Sequence, residues 1–265
     1  MKLKLSRITL IFATLASASL TACGAPPPVS PPTQNQNPKP SPEPNPNPGT
    51  ARPFHMMGVV KNSQGKPLAN VQVGADNTVI DGSEVWTVTD GQGHYDLDFS
   101  NFPILNSWTA TANFPVNYHG QPYTFYPEVD TTAPFLGQDG AVRNFTLKLT
   151  GPSSGGGYHG ALLYANYGLS EAGEMPEFND VEYQLMPDGP LIDGTTGDSF
   201  TLKWAQLPFE VPQGRYTITA RSLSGKGPLW LKTRGGSYGP SATLNMEYTA
   251  GTGMTLSVDI VHPHQ

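Results

Sequence analysis

Short runs in which apolar and polar residues alternate cover most of the chain after residue 53. In the first half of this region the runs are HMMGVV, ANVQVGA, VWTVT, HYDLDF, WTATA and NFTLKL, and turn segments such as NSQGKP and DGQG separate them. A period of two places successive side chains on opposite faces of a strand. Runs of about four to eight residues at this spacing predict an antiparallel β-sandwich over residues 53–150. Phe145, Leu147 and Leu149 are expected to share the buried face of its last strand.

The same kind of pattern continues to the end of the chain. Its runs are GALLYA, VEYQLM, SFTLKW, RYTITA, LWLKT, ATLNMEY and TLSVDIV. Because about 210 residues suit two domains of about 100 residues each, the pattern predicts a second, divergent β-sandwich over residues 151–265. The segment TGPSSGGG at residues 150–157 is the expected hinge between the two.

Composition supports an all-β fold and excludes some classes of function. The chain has 29 glycines and 27 prolines, which punctuate its whole length and exclude long helices. Charged residues make up 14% of the chain, against about 25% in an average soluble protein. The net charge is −6 and the few basic residues are scattered, so we expect no nucleic-acid partner.

Two segments of the first half resemble a known family. They are GVVKNSQGKPLANVQV, with Gly58, Val60, Gly65, Pro67, Leu68, Val71 and Val73, and TDGQGHYDL, with Thr89, Asp90, Gly93, Tyr95 and Leu97. These residues resemble the carboxypeptidase regulatory-like domain, a prealbumin-like β-sandwich with a carbohydrate-binding-like fold, over about residues 54–150. The resemblance implies that the motif residues are structural and carry no chemistry. The chain departs from the family by lacking a glycine before WTATA and by an insertion at residues 113–140. In the second half, VPQGRYTITA resembles a strand of the same superfamily.

The N-terminus has the features of a bacterial lipoprotein signal peptide. Lys2, Lys4 and Arg7 precede an apolar run at residues 8–20, which is shorter than the roughly 20 residues that span a bilayer. The following LTAC resembles a lipobox, which implies cleavage after residue 22 and attachment of acyl chains such as palmitate at Cys23. Loss of the three basic residues with the peptide takes the net charge from −6 to −9. An ordinary secretory signal with an incidental cysteine is the alternative.

Residues 23–52 form the predicted linker. Proline recurs at every second or third position of APPPVSPPTQNQNPKPSPEPNPNPGT, and the segment has no apolar periodicity. We therefore expect a disordered Pro-rich stalk that favours extended polyproline II, at about 3.1 Å per residue. A ligand for proline-recognition domains is the alternative.

An aromatic cluster lies in the insertion at residues 113–140. Because long ordered loops are often functional and tyrosine rings offer flat faces to sugars, this insertion is the predicted binding loop. Its candidate residues are Phe114, Tyr118, Tyr123, Phe125 and Tyr126. The alternative is that these rings only cover the sandwich.

A metal site is the second candidate. His262 and His264 are two residues apart after an apolar run, so on a strand both rings point to one face, an arrangement that copper and zinc sites use. Further ligands would have to come from His55, His94, His119 or His159. The acidic segment DGPLIDGTTGD could similarly bind Ca²⁺ through Asp188, Asp193 and Asp198, although a polar hairpin turn explains it as well. A frayed polar C-terminus is the alternative for the histidines.

Catalytic motifs are weak. Residues 151–155 and 235–239 match Gly-x-Ser-x-Gly, which matters only at a turn between a strand and a helix. We expect no catalytic residues and no cofactor.

These features favour a lipid-anchored protein of a bacterial cell envelope that binds or scaffolds and does not catalyse. Its expected partners are the membrane, through Cys23, and an envelope polysaccharide or a surface-layer or outer-membrane protein. Gly24 favours the outer over the inner membrane, because an aspartate there would favour inner-membrane retention. One alternative is a Cu- or Zn-binding envelope protein, such as a superoxide dismutase, using His262 and His264. A purely structural accessory of a surface layer is the other.

Overall fold

The computed structural model describes residues 49–102, 107–168 and 173–264, apart from the side chain of Phe178. The predicted signal peptide, Cys23 and nearly all of the predicted linker lie outside the described residues. The part of the chain from Pro44 to Gln265 forms one compact unit. Regular structure in the described ranges is strand, apart from the 3-10 turns Phe178–Asp180 and Trp204–Gln206. In these ranges no helix has the length and apolar character that a membrane crossing needs.

Ten strands between residues 55 and 147 build two sheets. They are β1 (His55–Asn62), β2 (Gln72–Asn77), β3 (Val85–Val88), β4 (His94–Asp98), β5 (Ser107–Tyr118), β6 (Gln121–Phe125), β7 (Glu128–Val129), β8 (Phe135–Leu136), β9 (Ala141–Val142) and β10 (Phe145–Leu147). One sheet has the order β4-β1-β10-β7, with β9 also paired to β1. The other has the order β3-β2-β5-β6, with β8 also paired to β5.

Ten further strands build the sheets of the second half. They are β11 (Ala161–Tyr167), β12 (Gly173–Glu174), β13 (Val181–Pro187), β14 (Phe200–Lys203), β15 (Phe209–Val211), β16 (Tyr216–Ser222), β17 (Trp230–Lys232), β18 (Ser241–Leu244), β19 (Glu247–Thr249) and β20 (Gly253–Pro263). One sheet has the order β12-β20-β11-β15, with β17 and β19 also paired to β20, and the other the order β14-β13-β16-β18. The all-β sandwich class is therefore confirmed. Across residues 49–264, as far as they are described, every strand pairing stays within one half; the division into two domains at residue 150 stays a prediction.

In each half the first strand pairs in parallel with the last. The prediction of purely antiparallel sheets is wrong on this point. In the first half β1 pairs in parallel with β10, with Val60 opposite Phe145. In the second half β11 pairs in parallel with β20, with Leu163 opposite Leu256. The first and last strands of each half can pair this way because the chain visits the second sheet between them, so no tight hairpin is needed.

The alternating pattern determines which side chains enter the core. Phe145, Leu147 and Leu149 are buried, as predicted, while Thr146 and Lys148 between them are only partly buried. The buried residues of both sheets in each half belong to one continuous apolar cluster. Burying apolar surface is the main favourable contribution to folding, so this face of each strand fixes the register.

The motif residues of the first half have structural roles here. A Cβ on Gly58 would lie 1.8 Å from the carbonyl oxygen of Arg143, so only glycine lets these two segments approach. The Tyr95 hydroxyl donates a hydrogen bond of 2.6 Å to that same carbonyl. The buried Thr89 hydroxyl donates to the Leu68 carbonyl, at 2.8 Å. These contacts hold turns and strands together.

The insertion at residues 113–140 is mainly strand, so the expectation of a loop is wrong for most of its aromatic part. Strand β5 runs on to Tyr118, the chain turns at His119 and Gly120, and β6 returns along it. Gly120 has a φ of 79°, which glycine adopts without steric cost. The alternation of NFPVNY and QPYTF continues the strand pattern, and this explains why the segment extends the sheet.

Candidate functional site

The predicted hinge at residues 150–157 is tied to both halves. The Glu210 carboxylate accepts hydrogen bonds from the backbone N–H groups of Gly151 and Gly160, at 2.7 and 2.8 Å. The Glu128 carboxylate accepts one from the backbone N–H of Ser154, at 2.8 Å. Carboxylates that accept such bonds hold a turn in place more firmly than neutral acceptors do.

Two tyrosines of the β5–β6 hairpin bond to the second half. The Tyr118 hydroxyl donates to the Pro190 carbonyl at 2.8 Å and accepts from the Arg215 backbone N–H at 2.9 Å. The Tyr123 hydroxyl donates to the Met246 carbonyl at 3.0 Å. These hydroxyls therefore fix the hairpin against the second half.

Buried polar groups add to this junction. The Asn62 side-chain amide donates to the buried Asp193 carboxylate at 2.9 Å. The Gln213 backbone N–H donates to the Leu149 carbonyl at 3.2 Å. Because buried polar groups are costly without partners, these bonds favour one arrangement of the two halves.

A cleft of about 840 Å³ opens at this junction. We call it the junction cleft; its walls come from the β5–β6 hairpin, from the end of β10, from the predicted hinge and the residues after it, and from the β19–β20 turn region. The residues that matter for its chemistry are Tyr126, Glu128, Lys148, Tyr158, His159 and Tyr248. A concave site of this size suits a ligand of several ring systems.

Exposed tyrosine rings are concentrated in the junction cleft. Tyr126 is 68% exposed, Tyr158 57% and Tyr248 74%, and all three line the cleft. The other eight of the eleven tyrosines are buried or partly buried. Several solvent-exposed aromatic rings in one cleft are typical of a contact surface.

A cluster of ionisable side chains, in which a carboxylate pairs with an ammonium group, also lines this cleft. The Glu128 carboxylate lies 2.7 Å from the Lys148 ammonium and 3.0 Å from Nε2 of His159. Hydrogen bonds from Lys148 and from the backbone N–H of Ser154 lower the pKa of Glu128 from its usual 4.5 to about 2. Glu128 is therefore ionised at neutral pH, and its charge is balanced by Lys148.

The five predicted aromatic residues divide into three groups. Phe125 is buried, and Phe114 packs against the core, so both cover the sandwich. Tyr118 and Tyr123 are partly buried and hold the junction. Tyr126 alone of the five presents its ring to solvent in the junction cleft. Ligand binding by this set stays a prediction, and Tyr126 is the member best placed for it.

Tyr158 and Tyr248 were not predicted from the sequence. Tyr158 follows the glycine run SSGGG, and Tyr248 lies on the short strand β19. Both lie far from Tyr126 in the sequence, so no local pattern joins them. A large aromatic next to a glycine-rich turn was the one available signal, at Tyr158.

The histidine pair lies at the end of β20. Nδ1 of His262 lies 3.2 Å from the Pro228 carbonyl oxygen, and His264 is exposed just beyond the strand. Three of the other histidines lie near carboxylates and one packs on a tyrosine ring: His55 with Asp96, His94 with Asp90, His159 with Glu128, and His119 with Tyr118. Among the described residues, no three His, Cys, Asp or Glu side chains come together to hold a metal. Metal binding through His262 and His264 stays a prediction.

Asp188 and Asp193 of the acidic segment pair with other protein groups, and the two Gly-x-Ser-x-Gly motifs lie outside helices. Asp188 pairs with Arg215 at 2.7 Å, while Asp193 accepts from Asn62 and from the Thr195 hydroxyl. Residues 151–155 and 235–239 lie in turns and irregular segments, without the helix that a nucleophile elbow requires.

Comparisons with known proteins give only distant likenesses. No protein-family model matches the chain, and no curated protein matches it. Among solved structures, the Bacillus anthracis TIE protein is 10% identical with a TM-score of 0.32; the match covers 78% of this chain but only 43% of that protein. A single B repeat unit (B1) of the collagen-binding surface protein (CNA) of Staphylococcus aureus is 11% identical with a TM-score of 0.22, covering 78% of this chain and 98% of the repeat. Values of this size carry no argument about function.

Proposed function

We propose that this chain is a lipid-anchored module of a bacterial cell envelope that binds or scaffolds without catalysis, and that the junction cleft is its contact surface. The observation that carries the proposal is the position of Tyr126, Tyr158 and Tyr248, the only tyrosines more than half exposed, in one cleft. Tyrosine rings lose little side-chain entropy on binding and bury a large area. The proposed partner is an envelope polysaccharide or an envelope protein.

Anchoring at Cys23 is the second part of the proposal. The basic N-terminus, the short apolar run and LTAC support lipidation of Cys23 after cleavage, with the Pro-rich segment as a stalk. Two or three acyl chains anchor stably, where one is marginal. Gly24 supports placement at the outer membrane. The motifs at residues 58–73 and 89–97 support a carboxypeptidase regulatory-like type for the sandwich at residues 53–150.

The contact surface is tested by replacing Tyr126, Tyr158 and Tyr248 together with alanine in the full chain. We expect retention of the protein on an insoluble envelope fraction of the producing bacterium to fall at least about tenfold, a loss of about 1.4 kcal/mol or more of binding free energy. The matched control is Trp86→Ala, which removes an aromatic ring that is 41% exposed and outside the cleft lining. Equal retention of the triple variant and the wild type, with both folded by circular dichroism, would show that the cleft is not the contact surface.

The anchor is tested by Cys23→Ser. We expect the variant to carry no palmitate label and to leave the membrane fraction, because serine cannot form the thioether. Ser30→Ala in the Pro-rich segment is the control and should stay labelled and membrane-bound. A Cys23→Ser protein that still partitioned wholly with membranes after detergent extraction would contradict the lipoprotein assignment.

A further inference from the structure

The reachable wall of the junction cleft consists mainly of tyrosine rings and polar groups. Phe125, Phe145 and Leu147 also line the cleft, but they are 4%, 1% and 2% exposed, so a ligand meets little of them. The most exposed rings of the lining are those of Tyr126, Tyr158 and Tyr248, and Pro122, Val129 and Met254 add a smaller exposed or partly exposed apolar surface. An aromatic face bordered by hydrogen-bonding groups matches a sugar ring, which has an apolar C–H face and a rim of hydroxyl groups.

Polar side chains are placed to contact such a rim. Ser153, Ser154 and Thr124 line the cleft and carry hydroxyls that both donate and accept. The Lys148 ammonium uses one donor on Glu128, and its side chain is 41% exposed, so two N–H donors remain for a ligand. A polyhydroxylated ligand can use donors and acceptors of this mixed kind.

The charge of the cleft selects against ionic ligands. Its charged lining residues are Glu128 and Lys148, which pair with each other, with His159 beside them. The carboxylate is already bonded to Lys148 and to the Ser154 backbone N–H, so a basic peptide or a phosphate polymer would have to compete with the existing Lys148–Glu128 pair. The charges of Glu128 and Lys148 cancel each other, and this complements an uncharged ligand.

On this basis we infer that the junction cleft binds an uncharged segment of an envelope polysaccharide, with sugar rings stacked on Tyr126, Tyr158 and Tyr248. This inference rests on the proposed function and names the ligand class of the same site. A protein partner is the competing class. It is the less favoured one, because a protein anchor side chain needs an apolar pocket to fill, and the large apolar lining residues Phe125, Phe145 and Leu147 are already packed in the core.

The test uses the full chain in detergent and three portions of the insoluble envelope fraction. One portion is untreated, one is digested with protease, and one is treated with anhydrous trifluoromethanesulfonic acid, which cleaves glycosidic bonds and leaves peptide bonds intact. We expect the tyrosine-dependent retention to survive protease and to be lost after the acid. Between about 0.05 and 0.5 M NaCl the affinity should change less than about twofold, because screening acts on ionic contacts. Trp86→Ala should behave as the wild type throughout.

Each other outcome is decisive. Tyrosine-dependent retention that is lost after protease and survives the acid would assign a protein partner; it would overturn the polysaccharide inference and leave the proposed contact surface standing. A loss of affinity above about tenfold at high salt would overturn the uncharged ligand. Retention that does not depend on the three tyrosines, even on untreated envelope, would overturn the contact surface itself and the inference with it.

Discussion

Replacing Trp108 with alanine should lower the free energy of unfolding by about 3–5 kcal/mol. Trp108 lies on β5 and is 0% exposed. Its ring centre is 5.3 Å from that of Phe99 and 6.2 Å from that of Phe102, so the substitution opens a large cavity between neighbouring aromatic residues. The indole N–H has no hydrogen-bond partner among the described residues, and the loss therefore comes from packing alone.

Trp86→Ala is the matched control for this prediction. Trp86 lies on β3 of the same sheet but is 41% exposed and covers the outer face at Gly74. Its loss should cost no more than about 1.5 kcal/mol, because less apolar surface leaves the folded state and water fills the space. Urea unfolding followed by far-UV circular dichroism gives both values. Similar losses for the two variants would contradict the assignment of Trp108 to the core.

Glu128→Gln should lower the free energy of unfolding by about 2–3 kcal/mol at neutral pH. The Glu128 carboxylate is bonded to Lys148 at 2.7 Å and to the Ser154 backbone N–H at 2.8 Å, and it lies near His159. Glutamine keeps one oxygen but loses the charge, so the bond to the Lys148 ammonium weakens and the segment at residues 150–157 is held less firmly.

The pH dependence gives this prediction a distinctive sign. The pKa of Glu128 is lowered from 4.5 to about 2 in the folded protein. A carboxyl group with a lowered folded-state pKa contributes stability that is fully present above its unfolded pKa and is lost as the pH falls through the folded value. The stability difference between wild type and Glu128→Gln should therefore be constant above about pH 5 and shrink toward pH 2.

Glu174→Gln is the control for the charge itself. Glu174 is exposed on β12, and its carboxylate has no hydrogen bond or ion pair among the described residues. Unfolding curves of the three proteins at several pH values should show a pH-dependent difference only for Glu128→Gln. A difference that stayed the same down to pH 2 would mean that the charge of Glu128 does not hold the junction.

The local sequence pattern was sufficient to predict the strands and much of the core. The period-two runs placed β1, β4, β10, β13 and β16 close to their observed bounds, since alternation reports which face of a strand is buried. The expected burial of Phe145 and Leu147 is confirmed for the same reason. In contrast, the pairing partners were not readable, because parallel closure of β1 on β10 joins residues far apart in the chain.

The sequence by itself determined the all-β class, the buried strand faces and the aromatic character of the insertion. These properties depend on near neighbours along the chain, through side-chain alternation and turn residues. Only the tertiary structure decided which aromatic rings are exposed to solvent. In the folded chain Tyr118 and Tyr123 hold the junction through their hydroxyls, whereas Tyr126 stays exposed in the same cleft as Tyr158 and Tyr248. The physical reason is that exposure depends on what the rest of the chain packs against each ring, and the three segments that carry these tyrosines are distant in sequence and meet only in the folded chain.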